Sequence, residues 1–224
     1  FSCKIAGTDT KDFPDFPQID TAQTFDISVG MLRHMINCSS FAISKESSRT
    51  CLCGMLWEIE KEWTSMVATD GHRLGKSVFS GNFPFDGKVE GIVPPKSLTH
   101  FIRFFSSDEE EKEKMVTVAL SEKYVTLSAD SFKICSKLYD GPYPDYEKAI
   151  PKSNTKIVFV EKSQLSEAVR RVSVLSNQKT HLIKFTFSKG NLEIVVLNRD
   201  IGGEAREVIP VEYDGEQHAI GFNA

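Results

Sequence analysis

Apolar positions along the chain follow two periods, and the alternation between them predicts a mixed architecture. Runs rich in Val, Ile, Thr, Phe and Trp cover 24–27, 49–59, 64–69, 72–79, 89–93, 115–120, 123–129 and 131–138, and each reads as a β-strand. Near 29–39 and 96–105 the apolar residues recur at steps of three and four, the spacing of one helix face. Val29, Leu32, Met35 and Ile36 form the first stripe; Leu98, Phe101, Ile102 and Phe105 form the second. A third helical pattern over 162–175 carries Leu165, Ala168, Val169 and Val172. The acidic tract from Asp108 to Lys114 lacks either period and reads as a solvated loop, and Asp140-Gly141-Pro142 is a turn signal. The predicted class is α+β.

The pattern also repeats. Phe13-Pro14-Asp15-Phe16 returns as Tyr143-Pro144-Asp145-Tyr146 about 130 residues later. After each comes a strand-like stretch (Thr24 to Ser28, Ile157 to Val160), a helix (from Val29, from Lys162) and a β-rich tract (Thr50 to Glu60, His181 to Val196). Phe1-Ser2-Cys3-Lys4-Ile5 resembles Phe132-Lys133-Ile134-Cys135, the strand ahead of the later Pro-Asp motif. A unit of this length has its own core, unlike the ~20–50 residues of a solenoid repeat. The expected organisation is therefore 1–17 as the tail of one repeat, 18–151 as a complete one and 152–224 as the front half of a third. With a partial repeat on either side of a complete one, the chain reads as an interior slice of a longer protein, and a start at Phe1 rather than Met reads as an incomplete translation product.

Composition narrows the function. No apolar run approaches the ~18 residues of a membrane helix, and no basic-then-apolar leader opens the chain. Five cysteines without a C-x-x-C pair (Cys3, Cys38, Cys51, Cys53, Cys135) read as buried free thiols in a reducing compartment, with Cys51 and Cys53 on one strand face. Twenty-seven Lys and Arg against 31 Asp and Glu give a net charge of −4, which excludes a generally basic nucleic-acid binder. The helices invert that average. Their polar faces carry Arg33 and His34, then Lys96, His100 and Arg103, then Arg170 and Arg171, against the single acid Glu167. Two readings stand: an ordinary solvated face, or a basic surface that holds a polyanion by charge without reading sequence.

Thr69-Asp70-Gly71-His72-Arg73-Leu74 is the most distinctive motif. Asp70 and His72 invite a general-base or metal reading, as in a hydrolase or nucleotide-handling enzyme, whereas Asp-Gly between two strands is the signature of a tight hairpin turn. A surface used by a partner is the third reading. No G-x-S-x-G, phosphate-cradling glycine loop or H-E-x-x-H is present.

Leu52-x-Gly54-x-Leu56-x-Glu58, Val67-Ala68-Thr69-Asp70-Gly71-His72-Arg73-Leu74, Ser136 to Gly141 with Pro144-Asp145-Tyr146, Arg171 to Asn177 and Ile220-Gly221-Phe222-Asn223 together resemble the bacterial DNA polymerase III beta subunit family, the sliding clamps. The resemblance covers essentially the whole chain. It implies tandem clamp domains with antiparallel sheets outside and two helices each facing a central channel. Residues 1–17, 18–151 and 152–224 would then be the end of a first clamp domain, a complete central one and part of a third.

The implied function is a homodimeric ring that encircles duplex DNA and tethers the DNA polymerase III catalytic subunit, with no catalysis, cofactor or metal. It would work in the bacterial cytoplasm, at the nucleoid, away from membranes. The resemblance assigns Arg33, Lys45, Arg49, Lys96, Arg103, Arg170 and Arg171 to the DNA channel. It assigns Leu52, Thr69, Gly71, His72, Arg73, Leu74, Pro144, Lys148 and Ala149 to a pocket for short peptides of polymerase, clamp loader and repair proteins. The family's extreme C-terminal residues form another wall of that pocket, and this chain ends at Ala224.

Overall fold

Two sheets that trade edge strands make up the first part of the molecule. The computed structural model describes residues 1–13, 15–17, 23–106, 108–130, 132–177 and 179–223, so Pro14 of the first Pro-Asp motif and the expected boundary at residue 18 lie outside the described residues. The chain divides into two units, Phe1–Glu147 and Lys148–Ala224. In the first, the order is β1 (Gln23–Ser28), α1 (Val29–Ser39), β2 (Met55–Ile59), β3 (Trp63–Thr69), β4 (Leu74–Ser80), β5 (Val89–Val93), α2 (Pro95–Ile102), α3 (Glu109–Glu113), β6 (Met115–Leu120), β7 (Tyr124–Ala129) and β8 (Phe132–Lys137). The antiparallel sheets run β4-β3-β2-β5 and β1-β6-β7-β8. Each half has the form βαβββ, and each gives its first strand to the other half: β1 lies beside β6, and β5 beside β2.

Period-two alternation sorts the strands. Met55, Trp57 and Ile59 of β2 face the core with Phe25, Leu32, Met35, Phe85, Phe101 and Leu127. Phe25 meets the Trp57 ring edge-on at 5.8 Å between centroids, and Trp57 Nε1 donates to Thr64 Oγ1 at 2.9 Å, which satisfies its one polar atom. Helix α1 starts where the Ser28 side chain accepts from the Met31 amide, and it buries Val29, Leu32, Met35 and Ile36 as its spacing predicts. Its C-terminal turn lies against β4 at Gly75, where a Cβ would stand 2.9 Å from both the Cys38 carbonyl oxygen and the Ser39 Cα. Arg33 ties α1 to the residues after α2, donating through Nη2 to the Phe105 and Ser106 carbonyls at 3.0 and 2.8 Å.

The second unit contains α4 (Lys162–Ser173), β9 (Leu182–Ser188), β10 (Asn191–Asn198), β11 (Gly203–Pro210) and β12 (His218–Asn223). Its sheet, β11-β10-β9-β12, has the topology of β4-β3-β2-β5, and α4 crosses β11 and β10 as α1 crosses β4 and β3. The core is Ala168, Val172, Ile183, Leu192, Ile194, Val196 and Ile209. The internal repeat read from the sequence is therefore repeated in topology.

Several expectations are corrected. The strand expected over 49–59 begins only at Met55, because Thr50–Cys53 forms a 3-10 turn ahead of Gly54, whose missing Cβ lets Ile92 and Tyr139 pack close. Cys51 and Cys53 therefore share no strand face. The thiols are free, but Cys3 is exposed and the other four are half-buried rather than buried. The acidic tract is not all loop: Glu109–Glu113 is helical, with Lys112 paired to Glu109 and Lys114 to Glu111 at i,i+3. Phe1 to Ile5 forms no strand, and Ile157 to Val160 reduces to one bridge, Phe159 to Glu212. Gly75→Ala is expected to cost about 1–3 kcal/mol of stability by forcing α1 away from β4, measured by urea denaturation.

Candidate functional site

On the face of the β4-β3-β2-β5 sheet turned from the core, alternation places Leu56, Glu58, Val67 and Leu74, and the chain after β8 folds back over them. Leu56, Val67, Ile92 and Tyr146 form a buried cluster, with Cys51, Leu74, Tyr139 and Tyr143 packed against it. Three segments thus converge: the 3-10 turn with Leu52, the start of β4, and the stretch carrying Pro144.

The hairpin between β3 and β4 is the tight turn that Asp-Gly predicts. Asp70 Oδ1 accepts from the His72 and Arg73 amides, both at 3.0 Å, and Oδ2 accepts from Arg73 Nε at 2.9 Å. Thr69 Oγ1 donates to the Arg73 carbonyl at 2.8 Å and accepts from the Gly71 amide at 3.1 Å. Gly71 sits at φ +92°, in the left-handed region that favours glycine. Slight burial would raise the Asp70 carboxyl, but the hydrogen bonds from the His72 and Arg73 amides and the Arg73 guanidinium outweigh it and hold the group below the usual carboxylate range. Both oxygens are occupied inside the turn, so Asp70 is not placed as a general base for His72. Among the described residues, no group of three or more potential ligands is arranged for a metal.

Of the expected pocket residues, Leu52 is buried, Thr69 and Leu74 are half-buried, and Gly71, His72, Arg73 and Pro144 are exposed. All belong to the first unit. Lys148 and Ala149, both exposed, end the 3-10 turn Tyr146–Ala149 and belong to the second. The expected channel cations differ among themselves. Arg33 is half-buried and spends its guanidinium on two carbonyls. Arg171 pairs with Glu207 at 2.6 Å and Glu167 at 3.3 Å. Lys96 is exposed on α2 and Arg103 is exposed at its C-cap, with His100 between them; Arg170 is exposed on α4, and Lys45 and Arg49 on the loop after α1. These five find no carboxylate within ion-pairing distance among the described residues.

Sequence reasoning passed over the buried charge beneath this site. Glu58 is 3% exposed and keeps its carboxylate through Lys88 Nζ at 2.7 Å, the Tyr146 hydroxyl at 2.6 Å and Ser65 Oγ at 2.9 Å. Lys76 Nζ completes the network, donating to the Tyr146 hydroxyl at 3.2 Å and lying 4.8 Å from its ring centroid. Burial would raise the Glu58 carboxyl, but bonds from Lys88, Tyr146 and Ser65 prevail and lower it. Burial lowers Lys88, and its bonds to Glu58 and Glu90 more than reverse that. The available signal was Leu56-x-Glu58, which puts a carboxylate on the same strand face as a core leucine. The folded chain binds fewer protons than the unfolded chain just below pH 4.5, so the stability Glu58 confers is full above that pH and lost as pH falls through the lowered value. Glu58→Gln is expected to lower stability at pH 7 by about 1–3 kcal/mol and to flatten the acid side of the stability profile, read from urea melts across pH.

Comparison with known proteins agrees with this architecture. The model of the DNA polymerase III beta subunit central domain matches residues 26–145, and that of its C-terminal domain matches 147–224. The beta sliding clamp of Pseudomonas aeruginosa is 34% identical over 212 residues, 95% of this chain and 56% of that protein. That of Chlamydia muridarum is 29% identical over 225 residues, 99% of this chain and 59% of that protein. The crystal structure of the DNA polymerase III subunit beta from Pseudomonas aeruginosa superposes with a TM-score of 0.89 at 34% identity, covering 96% of this chain and 58% of that one. The chain therefore spans a little over half the length of these relatives. With both models matched in order along one chain, and the same topology in a solved relative, the chain belongs to the DNA polymerase III beta subunit family, the bacterial sliding clamps.

Proposed function

We propose that this chain works as part of a sliding clamp, a ring that encircles duplex DNA without sequence preference and tethers the replicative polymerase and other partners. The observation that carries the reading is the exposed basic charge on α2, at its C-cap and on α4. Lys96, Arg103 and Arg170 are exposed and, among the described residues, find no carboxylate within ion-pairing distance, in a chain of net charge −4. Such cations hold phosphates and say nothing about base sequence. On this reading the DNA-facing cations are Lys45, Arg49, Lys96, Arg103 and Arg170; that Arg33 is engaged with carbonyls and Arg171 with carboxylates supports leaving those two out.

Within the first unit, the peptide dock on this reading is made of Leu52, Thr69, Leu74 and Pro144, with Gly71, His72 and Arg73 on its rim. Leu52 and Leu74 would take apolar anchors, and the rim cations and amides the polar ends. The protein would be a non-catalytic homodimer in the bacterial cytoplasm, with the polymerase catalytic subunit, clamp loader and repair proteins as partners. Nothing favours the hydrolase reading, since Asp70 is used up in its own turn.

A labelled Gln-Leu-x-Leu-Phe peptide is expected to bind this chain saturably, and Leu74→Asp to abolish binding without loss of fold, measured by fluorescence anisotropy and circular dichroism. Failure of the unmodified chain to bind refutes the dock. Arg103→Glu with Arg170→Glu is expected to weaken duplex binding about tenfold or more at low salt, equally for unrelated sequences, and to reduce its salt dependence. An unchanged affinity refutes the basic surface.

A further inference from the structure

Thr69 ends β3 at a place where the neighbouring strand has run out. The pairing of β2 with β3 begins at Leu56 opposite Val67, so no β2 residue is paired opposite Thr69. Its amide is nevertheless satisfied, by the hydroxyl of Tyr143, which accepts at 3.0 Å from 74 residues away. An amide shielded from water at a strand end needs some such acceptor, and this one is part-buried. Here a side chain takes the part of a missing strand.

The same residue then organises the turn. Thr69 Oγ1 holds Gly71 from one side and Arg73 from the other. A single residue therefore joins the Tyr143 hydroxyl to both arms of the loop that displays His72, Arg73 and Leu74. Three residues on, Tyr146 secures the segment that carries Tyr143: its hydroxyl donates to Glu58 of β2 at 2.6 Å and accepts from Lys76 of β4 at 3.2 Å. The two tyrosines lash the segment to the ends and the middle of one sheet, and burial pushes the Tyr143 phenol up to about 12, so it stays neutral in any physiological medium.

We propose that Tyr143 is a positioning residue for the peptide dock, its hydroxyl fixing the 69–74 turn through the Thr69 amide while Tyr146 and Glu58 keep the Tyr143 ring seated. The inference rests on the reading of that site as a dock for peptides. It concerns the hydroxyl alone, since the ring also packs against the apolar cluster.

Tyr143→Phe keeps the ring and removes the acceptor, so it separates the two roles. In the 224-residue chain this variant is expected to bind the Gln-Leu-x-Leu-Phe peptide about three- to tenfold more weakly, the scale of one hydrogen bond. Hydrogen exchange at the Thr69 amide should accelerate at least as much, with exchange at the β2 amides of Leu56 and Trp57 unchanged. Those β2 amides report global stability, which a purely structural role would move together with Thr69. Unchanged affinity and unchanged Thr69 exchange, in a chain whose parent binds the peptide, overturn the inference and leave the dock intact. So does a loss of affinity accompanied by equal acceleration at Leu56 and Trp57. If the parent chain does not bind at all, the dock falls and this inference falls with it.

Discussion

The reciprocal loan of β1 and β5 is the constraint on which the first unit depends. A βαβββ half on its own would expose the backbone of β2 or β6 along one side and leave Trp57 covered on one side only. By lending its first strand to the other sheet, each half closes its partner's hydrogen-bond ladder and carries Phe25 across to the Trp57 ring. Folding is thereby made mutual, because neither sheet is complete until both are. The close approach at Gly75 and the clamp from Arg33 follow from that closure, since α1 must fit between its own sheet and the end of α2.

The opposite face of the same sheet shows what happens when polar groups are built into a covered surface. Glu58 is almost wholly buried, and an unpaired carboxylate there would be costly. Tyr146, Lys88 and Ser65 bond it directly and Lys76 bonds Tyr146 in turn, which makes it tolerable; with the Tyr143 hydroxyl on the Thr69 amide, the arrangement fixes where the chain after β8 must lie. Apolar contacts alone would let that segment slide; hydroxyls that fit one acceptor and one donor do not.

Much of this was legible in the sequence. Helix faces were, because Leu32, Met35 and Ile36 keep helical spacing and are all buried. The hairpin at Asp70-Gly71 was, because its chemistry is local. What escaped depends on residues far apart. Thr50 to Cys53 has strand-forming composition, yet it turns because Gly54 must admit Ile92 and Tyr139. The Glu109–Glu113 segment was read by its charge, although Glu and Lys at i,i+3 support a helix. For the candidate site, residue types were legible and availability was not. Arg33 and Arg171 look like Arg103 and Arg170 in sequence, and only the fold brings carbonyls 72 residues away to one and Glu207 to the other.

That distinction decides how an acidic chain holds a polyanion on the proposed reading. Net charge is a far-field quantity, and at physiological salt the field of an exposed charge fades over about 8 Å. What a phosphate meets is therefore the local balance. Arg171 is neutralised twice over, and Arg33 presents its charge to backbone carbonyls. The acidic tract beside α1 is likewise partly self-compensated, Lys112 and Lys114 each taking a glutamate. Against that background the cations of α2 and its C-cap and of α4 that find no carboxylate among the described residues would act at full strength within a screening length, and on the proposed reading the acids elsewhere on the surface would disfavour DNA binding through other faces. On that reading an overall negative charge and local basic contacts would work together: the first would suppress adhesion in the wrong orientation, and the second would support it in the right one.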